Sequence, residues 1–258
     1  MPHSTYLPEK MGTAVVQPVG SFEAGSFASF TLTYTAGYFG IDDTGSIKVV
    51  HRFASDMGRP QFDNPKAPNY VTVAASNGAI LHVEYDMKRN IRPWDKTIYI
   101  KVVRGFLREG DQIVINFGDR SGGSPGIRVQ TVCEHTFEFR VLVDAIAVYN
   151  YVELPRQPEI KIIPGKPVLW KAIVPTERRV DESFRLSLKG EDCWGNPSNQ
   201  CDQTFVLRAS TAICGLPASV TFTPGKFAVV LEDLSVSQAG DLTIDLLTDD
   251  GTPVATSN

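Results

Sequence analysis

Phe30-Thr31-Leu32-Thr33-Tyr34-Thr35-Ala36 places an apolar or aromatic side chain at every second position, with threonine between. That is the period of an extended chain, whose successive side chains point to opposite faces of a sheet. The same alternation recurs on both sides of it. Ile47, Val49, His51 and Phe53 alternate with Lys48 and Arg52. Ile98, Ile100 and Val102 recur at period two, as do Ile113, Ile115 and Phe117, and Phe137, Phe139, Val141 and Val143 alternate with Glu138 and Arg140. Thr, Val, Ile and aromatic residues dominate these runs, as strand propensity requires. No stretch of twelve or more residues holds a capped 3.6-residue period. The 21 glycines and 17 prolines fall between the runs, where turns need them. Many short strands separated by such punctuation predict an all-β chain built from antiparallel sandwiches.

The length of 258 residues fits one large or two medium domains. A boundary is expected at Leu154-Pro155-Arg156-Gln157-Pro158, where two prolines follow an apolar run. Residues 1–150 carry 15 basic and 15 acidic side chains, so the formal charge of −4 belongs to residues 151–258. The expected domains are a larger sandwich over 10–154 and an immunoglobulin-like sandwich over 158–258. The second holds runs at Val168–Val174, Phe184–Leu188, Thr204–Arg208, Ser219–Phe222, Phe227–Leu231 and Leu242–Leu246. Trp170 is its candidate core tryptophan.

Composition excludes several classes. With 42% hydrophobic and 21% charged residues, the chain can bury a core and is not of the disordered type. It lacks the clustered Lys and Arg with which counterion release drives nucleic-acid binding. Its apolar runs fall far short of a bilayer span of ~20 residues. The start, Met1-Pro2-His3-Ser4-Thr5-Tyr6, has no basic patch followed by an apolar stretch, so no secretory leader is read in it.

Few residues suggest chemistry. Cys133, Cys193, Cys201 and Cys214 form no C-x-x-C pair, so zinc spacing is absent; Cys193 and Cys201 flank a turn and are read either as a short-loop disulfide or as packed thiols. His3, His51, His82 and His135 share no metal-binding spacing. Asp42-Asp43-Thr44-Gly45 reads as a turn before a strand, with Ca²⁺ binding the weaker alternative. Gly118-Asp119-Arg120-Ser121-Gly122-Gly123-Ser124-Pro125-Gly126 reads as a long hairpin or domain contact, with an anion-binding nest as the alternative. Tyr38, Phe39, Tyr85, Trp94, Tyr99, Tyr149, Tyr151 and Trp194 can either fill core and turns or form a sugar-stacking strip. In Asp192-Cys193-Trp194-Gly195-Asn196-Pro197 the Gly-Asn-Pro forces a tight turn, and Asp192 can lock it by accepting backbone N–H groups.

Several segments together resemble one family. They are Phe30 to Gly37, Gly40 to Ile47, Arg59-Pro-Gln-Phe-Asp-Asn-Pro65, Asn69 to Val73, Arg92-Pro-Trp94, Gly110-Asp111, Gly118-Asp119, Gly123-Ser-Pro-Gly126 and Asp192-Cys-Trp-Gly-Asn-Pro197. Their order and spacing are similar to the N-terminal portion of the bacterial domain-of-unknown-function 3604 family, with Asp43-Thr44-Gly45 standing where a glycine pair is common. The resemblance implies a non-catalytic accessory region that packs in cis against a C-terminal portion resembling metal-dependent hydrolases. That portion opens with a Trp-Gly-Asp-Leu-His type motif and would hold a divalent metal. No such motif occurs here, so no catalytic residue or metal ligand carries over, and Asn258 falls about where it would begin. Under this resemblance Arg59, Gln61, Asp63, Arg92, Trp94, Asp119 and Arg120 are candidates for a domain interface or the rim of a shared cleft. Asp192, Gly195, Asn196 and Pro197 form a structural corner. Two readings of other classes stand beside it: a stand-alone carbohydrate- or ligand-binding module, and a complete small enzyme with its site around Asp119–Gly126.

Overall fold

The computed structural model describes residues 6–258; the reading of Met1–Thr5, including His3, lies outside them. The described residues are nearly all strand and turn, with one short 3-10 turn at Pro8–Lys10. The chain divides into two compact units, residues 1–163 and 164–258.

The first unit begins with β1 (Gly12–Gln17), β2 (Ser21–Glu23), β3 (Phe27–Ala28), β4 (Phe30–Ala36), β5 (Ser46–His51), β6 (Val71–Ala75) and β7 (Ile80–Asp86). It continues with β8 (Lys96–Arg104), β9 (Gln112–Phe117), β10 (Ile127–Arg128), β11 (Glu134–Glu138), β12 (Arg140–Asp144), β13 (Val152–Glu153) and β14 (Glu159–Ile163). One main sheet runs β1-β4-β9-β6 and the other β13-β12-β5-β8-β7. A sheet β11-β14-β2 and a ribbon β10-β3 complete the unit. Among the described residues its named strands pair antiparallel except β2 with β14, and one isolated parallel bridge joins Gln61 and Tyr70. The opening stretch becomes β4, whose burial alternates strictly, with Phe30, Leu32, Tyr34 and Ala36 inward. They meet Ile113, Ile115 and Phe117 of their own sheet, and Ile47, Val49, Ile98, Ile100, Val141 and Val143 of the other, in one buried cluster. Two sheets sharing one core make a sandwich. The Tyr34 hydroxyl donates to the Met11 carbonyl at 2.6 Å, so even this buried phenol is satisfied.

Two details depart from the sequence reading. The run Phe137–Val143 is not one strand. It breaks at Phe139, with β11 pairing β14 and β12 pairing β5. The break is held by the Phe139 N–H, which donates to the Pro158 carbonyl at 2.9 Å. The units also do not part at Leu154–Pro158. Glu159–Ile163 is β14 of the first unit, paired on both sides with β11 and β2, so the division falls between Ile163 and Pro164. The prolines mark a strap: Gln157 accepts the Val141 N–H and donates to the Leu154 carbonyl, both at 2.8 Å.

The second unit comprises β15 (Leu169–Ile173), β16 (Phe184–Glu191), β17 (Thr204–Ala209), β18 (Ser219–Thr221), β19 (Val229–Leu234), β20 (Ile244–Leu247) and β21 (Pro253–Thr256). Its sheets run β15-β16-β19 and β18-β17-β20-β21, antiparallel throughout. Lettered A to G, these are A-B-E and D-C-F-G, an immunoglobulin-like sandwich. Trp170 packs edge-on against Phe205 and Phe222, with ring centroids at 4.5 and 4.8 Å.

The corner after β16 is built on one carboxylate. Asp192 accepts the N–H groups of Trp194 and Asn196 at 2.9 Å, that of Gly165 at 3.1 Å, and both its oxygens accept the Asn196 side-chain amide. Gly195 takes the positive φ of 86° that the turn demands. Burial pushes the Asp192 carboxyl up, but the bonds from Asn196, Gly165 and Trp194 outweigh it and hold it below the ordinary range. Asp192→Ala strands these buried donors and should cost about 3 kcal/mol at neutral pH. Because the folded pKa is depressed, the charge-dependent part is fully present above about pH 4 and lost as pH falls through the folded value. The gap between urea melts of wild type and Asp192→Ala should therefore narrow as pH falls below about 4. A gap that does not narrow would contradict this account.

Candidate functional site

β5 turns out into a short loop, 52–58, that caps one end of the first sandwich. Phe53 N–H donates to the Pro93 carbonyl at 2.9 Å and Gly58 N–H to the Arg128 carbonyl at 2.8 Å. Asp56 accepts the backbone N–H and the hydroxyl of Thr131 at 2.8 and 2.9 Å, and Arg128 at 3.4 Å. Burial would raise this carboxyl, yet the Thr131 and Arg128 bonds hold it below the ordinary range. Lys96 donates to the Ser55 carbonyl from beneath. Gly58 has no room for a side chain: a Cβ there would lie 2.1 Å from the Asn69 Oδ1.

Two clefts flank this loop and share Ala54, Ser55 and Asp56. One, of about 540 Å³, is lined by Arg52, Gln130, Glu134, Phe137 and Glu138 among others. The other, of about 580 Å³, is lined by Phe53, Met57, Arg59, Asn69, Lys96 and Arg128.

The sequence candidates separate into two groups. Arg59 lines the second cleft, and the Arg92 guanidinium lies 5.1 Å from the ring of Phe53, which lines the same cleft. Arg92 also pairs with Asp95 at 3.4 Å. Two guanidinium groups lie over the Trp94 ring, Arg140 at 4.0 Å and Arg52 at 5.1 Å, and Arg52 lines the first cleft. Gln61, Asp63, Asp119 and Arg120 line neither cleft. Gln61 ties its own loop, accepting the N–H groups of Asp63 and Asn64 and donating to the Asn64 and Pro68 carbonyls. Asp119 accepts the Ser121 N–H at 2.9 Å and the Thr72 hydroxyl at 2.7 Å, and these bonds lower its pKa. Arg120 donates to the Phe27 carbonyl at 2.9 Å.

These bonds also decide the glycine-rich stretch. The N–H groups of Ser121, Gly123 and Gly126 are spent on Asp119, Arg120 and Ser124, so they do not form an open anion nest. A Cβ on Gly122 would lie 2.4 Å from that of Pro65, which places the stretch against the 59–65 segment. Asp42–Gly45 is a turn: the Gly45 N–H donates to the Asp42 carbonyl at 2.9 Å and Thr44 has φ 69°. Among the described residues no group of three or more His, Cys, Asp or Glu converges to hold a metal. Cys193, Cys201 and Cys214 are unbridged, and Cys201 Sγ donates to the Ser198 carbonyl at 3.3 Å.

The aromatic residues do not make the strip that sugar stacking needs. Trp94 and Tyr99 are 7% and 5% exposed. Segment 87–94 folds over the outer face of β5 and β8, where Arg89 covers Tyr99 at 3.8 Å and Lys48 covers Tyr151 at 4.0 Å. Lys48 also donates to the Arg89 carbonyl at 3.1 Å, and Asn90 to the Trp94 carbonyl at 2.8 Å. The exposed rings of Tyr38, Phe53, Phe106 and Tyr149 sit on loops of the first unit and Trp194 on a turn of the second.

Arg52, Asp56, Lys96 and Arg128 were not anticipated. Nothing local marks them, because strand pairing alone assembles them: His51 faces Lys96 across β5 and β8, and Arg128 enters from β10. His51 itself lies beneath the loop, 4% exposed, its ring 5.9 Å from that of Phe137. Its Nε2 has no partner among the described residues.

No protein-family model matches the chain, and no curated protein matches it. Among solved structures, the seventh ScaB type I cohesin from Pseudobacteroides cellulosolvens aligns at 10% identity and TM-score 0.31, over 64% of this chain and 96% of that one. A chicken TCR aligns at 7% identity and TM-score 0.28, over 95% and 99%. The fold assignment rests on the strand pairing itself. No described helix is long and apolar enough to cross a membrane.

Two outcomes are expected. Trp94→Ala removes a buried ring held by two cations and should cost about 3 kcal/mol, read as a drop in the urea midpoint of the first unit. An unchanged midpoint would show the stack to be idle. Burial, reinforced by Lys96, lowers the His51 pKa to about 3. The folded state thus refuses a proton that the unfolded chain accepts near pH 6.5, and stability falls by at most about 1.4 kcal/mol per pH unit as pH drops from there towards the folded value. His51→Leu should flatten that acid limb; an equally steep limb would remove His51 as its cause.

Proposed function

We propose that this chain is a non-catalytic accessory region whose two sandwiches flank and orient a metal-dependent hydrolase-like domain, as its likeness to the N-terminal portion of the domain-of-unknown-function 3604 family suggests. One observation carries the reading. The acidic groups that hydrolytic chemistry would recruit are committed to architecture: Asp119 to Thr72 and Ser121, Asp56 to Thr131 and Arg128, Asp192 to its corner. Such groups hold loops in shape. Arg59, with no carboxylate partner among the described residues, and Arg52 and Arg92, which pair with Glu134 and Asp95, place three exposed guanidinium groups around this loop, suited to an acidic partner surface.

The metal implied by the resemblance would sit in that partner domain, with its ligands there and its water activation supplied there. This chain's part is to present surface. The test begins with the gene beyond the codon for Asn258. The reading expects the frame to run into a Trp-Gly-Asp-Leu-His type stretch. It also expects the hydrolase-like portion, expressed separately, to bind residues 1–258 in trans and to lose binding in an Arg52→Glu, Arg92→Glu variant. A stop codon directly after Asn258, or binding indifferent to both charge reversals, would overturn it.

A further inference from the structure

We propose that the cleft beneath the 52–58 loop is a binding site for a compact oxyanion, a carboxylate, sulfate or phosphate group on a small body, held by Arg59 and Lys96. The argument is one of unbalanced charge. Four charged side chains line this cleft: Asp56, Arg59, Lys96 and Arg128. The single carboxylate is fully engaged by Arg128 and Thr131. That leaves two cations with no carboxylate partner among the described residues. Lys96 is half-buried and its ammonium has one acceptor, the Ser55 carbonyl, with donor capacity left over. A partly desolvated ammonium without a counter-charge is unfavourable, and a bound anion relieves it. Arg59 is exposed and contributes a planar fork suited to two parallel bonds with an oxyanion.

Neighbouring acids do not fill the role. Asp95 and Asp86, whose charges act with that of Arg59 on Tyr85, do not line the cleft: Asp95 meets Arg92 through Oδ2 at 3.4 Å while its buried Oδ1 has no partner among the described residues, and Asp86 accepts the Lys88 N–H at 2.7 Å. The positive field also reaches inward, where Lys96 reinforces the effect of burial in keeping the His51 ring neutral. About 580 Å³ accommodates a monosaccharide-sized body, and Phe53, Ala54 and Met57 give it an apolar wall. The loop is stapled at Phe53, Ser55, Asp56 and Gly58, so the cleft is preformed. This site needs no partner domain; it shares Arg59 with the surface proposed for one, but the Arg52 and Arg92 charge reversals test that surface without changing Arg59 or Lys96.

The test is titration calorimetry on the full 258-residue chain at low salt. The probes are inorganic phosphate, sulfate and D-glucuronate, with D-glucose as the neutral control. Saturable binding of at least one anion is expected, with Kd on the order of 1 mM, and none of glucose. Binding should weaken roughly tenfold in Arg59→Gln and in Lys96→Met, and fall with added NaCl. Arg104→Gln, at a different cleft, should leave it unchanged. Arg59 is exposed, so its variant keeps the test valid if Lys96→Met fails to fold. Preference for glucuronate would identify a carboxylated sugar as the source, and preference for phosphate or sulfate a free or esterified mineral oxyanion. No saturable heat with any anion, or affinity unchanged in Arg59→Gln, overturns the proposal.

Discussion

β5 is covered on both faces, and that constraint organises the first unit. Ile47, Val49 and His51 point into the shared core, while Ser46, Lys48 and Val50 point the other way and yet are not left to solvent. An antiparallel sheet ordinarily has one wet face. Here segment 87–94 and Tyr151 cover the second face, and they do so with cations laid on aromatic rings. Such stacks let a polar surface be covered without stranding charge, because guanidinium and ammonium groups keep a partner in the ring face while their stems bury. The same cover fixes where β5 can exit, and so where the 52–58 loop and its clefts lie.

Burial of that kind also explains the contrast between the two titratable groups on β5. Lys48, on the covered outer face, lies over the Tyr151 ring, where burial and the nearby Arg89 lower its pKa and Asp144 opposes them. His51, on the inner face, sits among aromatic rings and stays neutral. Adjacent alternation thus sorts one strand into a charged exterior and a neutral interior. At its end the sorting fails. Lys96, opposite His51, lies on the inner side but reaches the mouth of the sandwich, where its ammonium meets a single carbonyl. The surplus of positive charge in the second cleft arises there, from the register of two strands.

Much of the fold was legible because its signal is local. The alternation in Phe30–Ala36 needs no distant residue to be read, and it became β4 with its inward set intact. The Asp192 corner was legible for the same reason, since the acid and most of its donors lie within four residues. Signals failed where a partner was remote. The Phe137–Val143 run kept its period through a change of sheets, because alternation does not say which neighbour a strand pairs with. The prolines near 155–158 suggested a linker, but the parallel pairing of β14 with β2 joins residues about 140 apart.

The candidate site failed to show in the sequence by the same logic. Arg59, Arg92 and Trp94 were singled out, while Lys96, Arg128 and Asp56 were not, although all six gather around one loop. Asp56 and Arg128 are 72 positions apart, and each is unremarkable where it stands. Their pairing matters because it occupies the cleft's one carboxylate and leaves Arg59 and Lys96, two of its three cations, without an acidic partner there. Charge counted along the chain gives a neutral first unit; charge counted by place in the fold gives a local excess at one mouth. Electrostatic function is set by the second count, which only the folded arrangement supplies.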